Sequence, residues 1–198
     1  MKRCFAVVCL ICPLFACTTY IVEESSEGSL RAPSWTIQSK AHRIDPIAEN
    51  GKYRYFVDTA QDANRRLCLR SAEVNATRKI ASEVSQDIVS LFERTDVAGN
   101  NLTDSVLKDK IGQNILVNLN GVVVAGQYWE KRQYLKEKGA EKDHTAYKCD
   151  VVVKIEKGNL ADAIEIFKAR TGKTLSGESG KTLDSVIDSY VSVLRNTN

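Results

Sequence analysis

The chain has 198 residues, of which 43% are hydrophobic and 27% charged, with a net charge of +3. That is enough for one domain with a real core and some trimmings. The near balance of charge excludes the basic stripe of a nucleic-acid binder and strong electrostatic adhesion to anionic lipid.

The first residues set an address. Lys2 and Arg3 precede an apolar run, Cys4 to Leu14, broken only by Pro13, and Leu14-Phe15-Ala16-Cys17 closes it. A run this short cannot span a hydrocarbon core that takes about 20 helical residues. Basic start, brief apolar centre and small-residue exit are the layout of a secretory signal over residues 1–16. Leu-x-Ala-Cys resembles the bacterial lipobox, which makes Cys17 the expected lipidation site (palmitate among its acyl groups) and the membrane a partner through that lipid. Two of the 28 basic residues leave with the signal, so 26 bases face 25 acids in the remaining chain. Cys4, Cys9 and Cys12 leave too, which removes a false C-x-x-C.

Residues 17–50 are expected to form the lipidated start, a tether and an extended arm. Glu23 to Ser29 is polar, and a free stretch from Thr18 to Pro33 would reach about 20–25 Å. Pro33, Trp35 and Pro46 favour an extended arm laid along the body, with Trp35 as its packing anchor.

Residues 51–170 carry the main domain. Lys52 to Asp58 alternates as a short strand. Leu69, Ala72, Ala76, Ile80, Val84, Ile88 and Leu91 then step by three or four, the stripe of a long amphipathic helix. Thr103 can cap a second helix with Val106, Leu107, Ile111 and Ile115, although Gly112 weakens it. Val122 to about Tyr134 and Ala146 to Glu156 read as strands joined by the charged connector Lys136 to His144. In the second strand Tyr147, Cys149, Val151, Val153 and Ile155 share one face, and Val152 alone spoils the polar one. Asn159 can cap a third helix bearing Leu160, Ala163, Ile164 and Phe167. Residues 171–198 read as a linker and a C-terminal amphipathic helix with Leu183, Val186, Ile187, Tyr190, Val191 and Leu194. The expected fold class is α+β, a small three-stranded, largely antiparallel sheet covered by long helices.

Several constellations tempt an active-site reading. Ser176-Gly177-Glu178-Ser179-Gly180-Lys181-Thr182 imitates the end of a phosphate loop, but Leu175 stands where the first glycine belongs and no strand precedes it. It reads as a flexible link. His42 and His144 are far apart in sequence, with no ligand set or nucleophile beside them, so no metal or catalytic residue is assigned and no cofactor is expected. Asp58 and Asp62 would have to flank a cleft to cut a glycan, and nothing in the pattern makes one. Tyr128 and Trp129 are adjacent on a strand and must face opposite ways. One is core, and the other either binds a partner or glycan or is covered by the arm or the last helix. Cys68 and Cys149 both point toward the helix–sheet layer in an oxidising compartment, which favours a disulfide over two buried thiols.

Tyr55-Phe56-Val57, the alanine-spaced helix, Gln127-Tyr128-Trp129-Glu130 and Tyr147-Lys148-Cys149-Asp150-Val151-Val152-Val153 together resemble the Lpp-twenty family. Those are small bacterial envelope lipoproteins whose domain is related to the N-terminal domain of a flagellar ring assembly protein. The resemblance covers about Trp35 to Phe167 and implies a three-stranded sheet under helices and no catalytic residues. With Thr18 after Cys17, it implies the periplasmic face of the outer membrane. The expectation is a non-catalytic binding or assembly module with an envelope or flagellar protein partner, no nucleic acid and no evident small-molecule substrate. An accessory role for flagellar or cell-wall synthesis machinery is the narrower version. An envelope hydrolase or nucleotide-binding protein is the reading from another class.

Overall fold

The computed structural model describes residues 18–29, 31–45, 51–95, 104–171 and 178–196. The expected lipobox and the Thr103 cap lie outside them. Strand β1, Tyr20–Ser25, is followed by two 3-10 turns, Ser34–Thr36 and Gln38–Ile44. Strand β2, Tyr53–Asp62, leads to helix α1, Arg65–Glu93, and helix α2, Asp104–Asn118. Strands β3, Val123–Tyr134, and β4, His144–Glu156, precede helices α3, Lys157–Thr171, and α4, Glu178–Asn196.

The mixed helix-and-sheet class is as expected, but the sheet has four strands, in the order β1-β3-β4-β2, all neighbours antiparallel. The extra strand is β1, which pairs Tyr20 with Tyr134 and Ser25 with Glu130. Its apolar start, Tyr20-Ile21-Val22, finds a partner more than a hundred residues away, so the segment read as tether is structured from its third residue. The reach of 20–25 Å is withdrawn with it.

One face of the sheet carries the helices. Small residues Ala72 and Ala76 bring α1 close over β2 and β4, and Ile80, Val84 and Ile88 fill the wider gap toward its end. Leu107, Ile111 and Ile115 of α2, Leu160, Ile164 and Phe167 of α3, and Leu183, Ile187, Val191 and Leu194 of α4 complete one core. The C-terminal helix is therefore part of the body. Gly112 of α2 faces Ser85 of α1, where a Cβ would make an ordinary van der Waals contact with Ser85 Oγ. Helix α3 begins at Lys157, directly after β4, so Asn159 lies inside it and does not cap it.

The other face explains Val152. It packs with Val57 and Ala41, flanked by Trp35, Ile44, Tyr55 and Ala125, in a second cluster under the arm. The arm reaches this position through 3-10 turns, not as an extended strand, and Trp35 does anchor it. Gly126 lies directly beneath Ile44 of the arm, whose side-chain end would have to shift to admit a Cβ there. Lys154 Nζ pairs with Asp45 Oδ2 at 2.5 Å at its far end.

Side chains close the outer edge of β2. Gln38 donates to the Tyr55 carbonyl at 2.9 Å and accepts from Val57 N at 2.8 Å. Lys79 Nζ donates to the Val57 carbonyl and Asn75 to that of Thr59. The strand offers no template for edge pairing there.

Three of the seven tyrosines sit in settings that hold their protons: burial, then the charge of Asp45, raises Tyr55, and the other two are raised further. Burial, then the charge and hydrogen bond of Glu130, push Tyr128 up to about 12. Burial also pushes Tyr190 up to about 12, with Arg54 opposing and Asp87 adding. Unfolded tyrosines ionise near pH 10. The raised folded values therefore contribute stability that is complete below about pH 10 and lost as pH rises toward 12. A spectrophotometric titration should show Tyr128 and Tyr190 ionising about two pH units after exposed tyrosines. Ionisation of all seven near pH 10 with the far-ultraviolet dichroism intact would refute this.

Candidate functional site: an arginine-lined groove beside Trp129

Helix α1 starts where it does because Asn64 caps it. Its Oδ1 accepts from Arg66 N at 2.9 Å and Leu67 N at 3.2 Å, while Asp62 Oδ1 accepts from Asn64 N at 2.7 Å. The first turn holds no acid. Arg65 and Arg66 stand there instead, with Arg70 one turn on, adding positive charge to the positive end of the helix. That arrangement costs local stability, of order 0.3–1 kcal/mol per charge at an exposed helix end.

The disulfide Cys68–Cys149, with a Cα–Cα distance of 5.8 Å, pins this turn to the sheet. Cys149 pairs across the ladder with Trp129, so the bond lies beside that ring. The Arg65 guanidinium stacks over Trp129 at 4.8 Å from the ring centre, and Tyr147 meets the indole edge-on at 5.8 Å. Next to this shelf a groove of about 530 Å³ is lined by Arg66, Leu69, Arg70, Glu73, Val74 and Gln127. Among the described residues neither Arg66 nor Arg70 has an ion-pair partner. Lys131, nearby on β3, is already committed to Glu23 at 2.6 Å.

The lining is two guanidiniums, one carboxylate, one amide and two apolar side chains, with an indole shelf at its border. Guanidinium forks match carboxylates and phosphates in the plane. The groove can hold an acidic, partly apolar segment by charge and stacking, and its lining has no histidine, hydroxyl or thiol to attack one.

The other expected site residues fall as follows. Tyr128 and Trp129 do face opposite sides. Tyr128 is fully buried on the arm side, where its hydroxyl donates to Glu130 Oε2 at 3.2 Å, and Trp129 is the half-buried one. His42 is exposed in the arm, and His144 stacks on Tyr134 at the start of β4. Asp58 Oδ1 accepts from Thr59 N, and Asp62 serves the helix cap. Gly180, Lys181 and Thr182 lie in the first turns of α4 and not in a link, while Ser176 and Gly177 lie outside the described residues. No group of three or more potential metal ligands occurs among the described residues, and no described helix is long and apolar enough to cross a membrane. The groove itself was missed at the level of sequence. Its signal was Asn64-Arg65-Arg66, a cap followed by bases where acids belong.

No family model matches the chain, and no curated protein matches it either.

Proposed function

We propose that this is a non-catalytic, lipid-anchored envelope protein, a binding or assembly module on the periplasmic side of the outer membrane. Its contact surface is the groove beside Trp129. The observation that carries the reading is the pair Arg66 and Arg70, without an ion-pair partner among the described residues and held in a groove against the sheet by a disulfide one turn into the helix. A helix start so charged is unfavourable for the fold alone and useful toward an acidic partner. The lipobox-like Leu14-Phe15-Ala16-Cys17 supplies the anchor, and the resemblance to small envelope lipoproteins supports the setting. Activation of a wall synthase across a wide gap is disfavoured, because β1 begins three residues after Cys17. A flagellar accessory role rests on the resemblance alone.

The test has two arms in the same cells. Wild type should fractionate with membranes, and Cys17→Ser should be soluble or unprocessed. A photocrosslinking residue at Gln127 should capture an envelope protein, and the adduct should fall at least tenfold, ~1.4 kcal/mol of contact, in Arg66→Glu/Arg70→Glu. Detergent-dependent membrane association of mature Cys17→Ser would remove the anchor. An undiminished adduct in the charge-reversed variant would remove the groove.

A further inference from the structure

The helix-packed core includes Trp129 of β3 and Tyr147 of β4 and no residue between them, and the position of this end of the sheet relative to the anchor is tightly bounded. Leu135 N donates to the Thr19 carbonyl at 3.1 Å, so the chain is already part of the body at Thr19. That point is two residue steps from Cys17, a span of at most about 7 Å. The headgroup layer of one leaflet is itself about 5–8 Å thick. With acyl chains on Cys17 there is no length left for a gap between the bilayer and this end of the sheet. Resting on the lipid-anchor reading above, we propose that this end of the sheet is a membrane-apposed face. It consists of the start of β1, the β3–β4 hairpin and its 135–143 loop, and it stands on the surface of the bilayer that carries the anchor.

The chemistry of that end suits the headgroup level. Tyr20, Tyr134 and His144 form a row across three strands, with ring centres 5.5 Å and 4.6 Å apart. The Arg132 guanidinium lies 3.9 Å over Tyr20. Tyrosine rings and arginine are at home where apolar and polar layers meet. The loop beyond them is exposed and polar, with Lys136, Lys138 and Lys142 balanced by Glu137, Glu141 and Asp143. That balance leaves no net attraction to anionic lipid, so the anchor holds the contact and the loop does not insert. The loop is also shaped. Asp143 Oδ1 accepts from Lys136 N at 2.6 Å, Ala140 N reaches the Leu135 carbonyl at 3.1 Å, and Gly139 takes a positive φ of 92°.

This fixes where the groove works. Trp129 is five residues before Tyr134 on β3, about 17 Å along the strand. The groove is then held within roughly 20–30 Å of the lipid surface, and its partner is a membrane-proximal acidic segment.

The experiment uses the full lipidated chain in vesicles of phosphatidylethanolamine with phosphatidylglycerol. Single probes at Lys138→Cys and Asn120→Cys mark the near and far ends of β3, which are roughly 40 Å or more apart. Cys68 and Cys149 are bonded and buried, so the introduced thiol takes the label. Nitroxide on the lipid headgroups should quench the probe at 138 several-fold more than that at 120. A long Gly-Ser insertion between Thr18 and Thr19 should abolish the difference. Equal quenching at both sites without the insertion, or stronger quenching at 120, overturns the orientation while the anchor stands. An N-terminal peptide whose mass lacks acyl groups overturns the anchor reading and the orientation with it.

Discussion

Replacing Cys68 and Cys149 together by alanine is expected to lower the stability of the body by about 4 kcal/mol and its melting temperature by roughly 10–15 °C. The pair closes a loop with a sequence separation of 81 residues, running from α1 through α2 and β3 to β4. Tying those ends together removes much of the freedom of the unfolded chain, and the effect grows with the logarithm of loop length. Both cysteines are fully buried in the main core, so alanine also leaves a small void. The loss should have a local face as well. The disulfide holds the first turns of α1 to β4, and without it the arginines at that helix end repel one another with less to oppose them. Arg65 should then leave Trp129, which a Trp35→Phe background would report as a change in the remaining indole fluorescence. Reduction of the wild-type protein should reproduce both effects. A melting temperature lowered by less than about 3 °C, in the variant and on reduction alike, would show that the cross-link constrains nothing the fold needs.

The parts of this fold legible in sequence were those in which local pattern and tertiary burial agree. Ala72, Ala76, Ile80, Val84 and Ile88 are all fully buried, as their spacing implied. Tyr147, Cys149, Val151, Val153 and Ile155 share the helix face as their spacing implied, with Cys68 bonded to Cys149. What failed was long-range. Nothing within Tyr20-Ile21-Val22 names Tyr134 and Arg132 as its partners, and the polar run after it outweighed three strand-forming residues. Val152 seemed to break an alternation because the second apolar layer, Val57, Ala41 and Trp35, comes from two distant segments. The open edge of β2 is closed by Gln38, Asn75 and Lys79, whose polar side chains read locally as surface. The groove has the same character. Arg65, Arg66 and Arg70 could be seen as an unusual helix start, but only the register of β3 places Gln127 and Trp129 beside them.

Glu130→Ala should be the most damaging single substitution on the arm side of the sheet, costing roughly 3–5 kcal/mol. Glu130 is only 4% exposed and serves two groups at once. One carboxylate oxygen accepts from the Tyr128 hydroxyl at 3.2 Å, and the other from Arg132 Nε at 2.5 Å. Alanine leaves a hydroxyl with no exposure and a mostly buried guanidinium without their acceptor, and the uncompensated charge dominates the cost. Glu130→Gln keeps one acceptor and the shape, so its cost should be nearer 1–2 kcal/mol. The double variant Glu130→Ala/Arg132→Ala should recover part of the loss, because no orphan charge remains, and the coupling between the two sites should exceed about 1 kcal/mol. Arg132 also covers the Tyr20 ring and sits opposite Val22 in the ladder. Freed from Glu130, it should loosen β1 first, seen as faster amide exchange at the β1 positions paired to β3 than in α1. Tyr128 should still ionise above pH 10, since burial is the larger cause of its raised value. Denaturant unfolding that places Glu130→Ala within about 1 kcal/mol of wild type would mean that the carboxylate is solvated in the folded protein. The arm-side network would then add nothing to the fold.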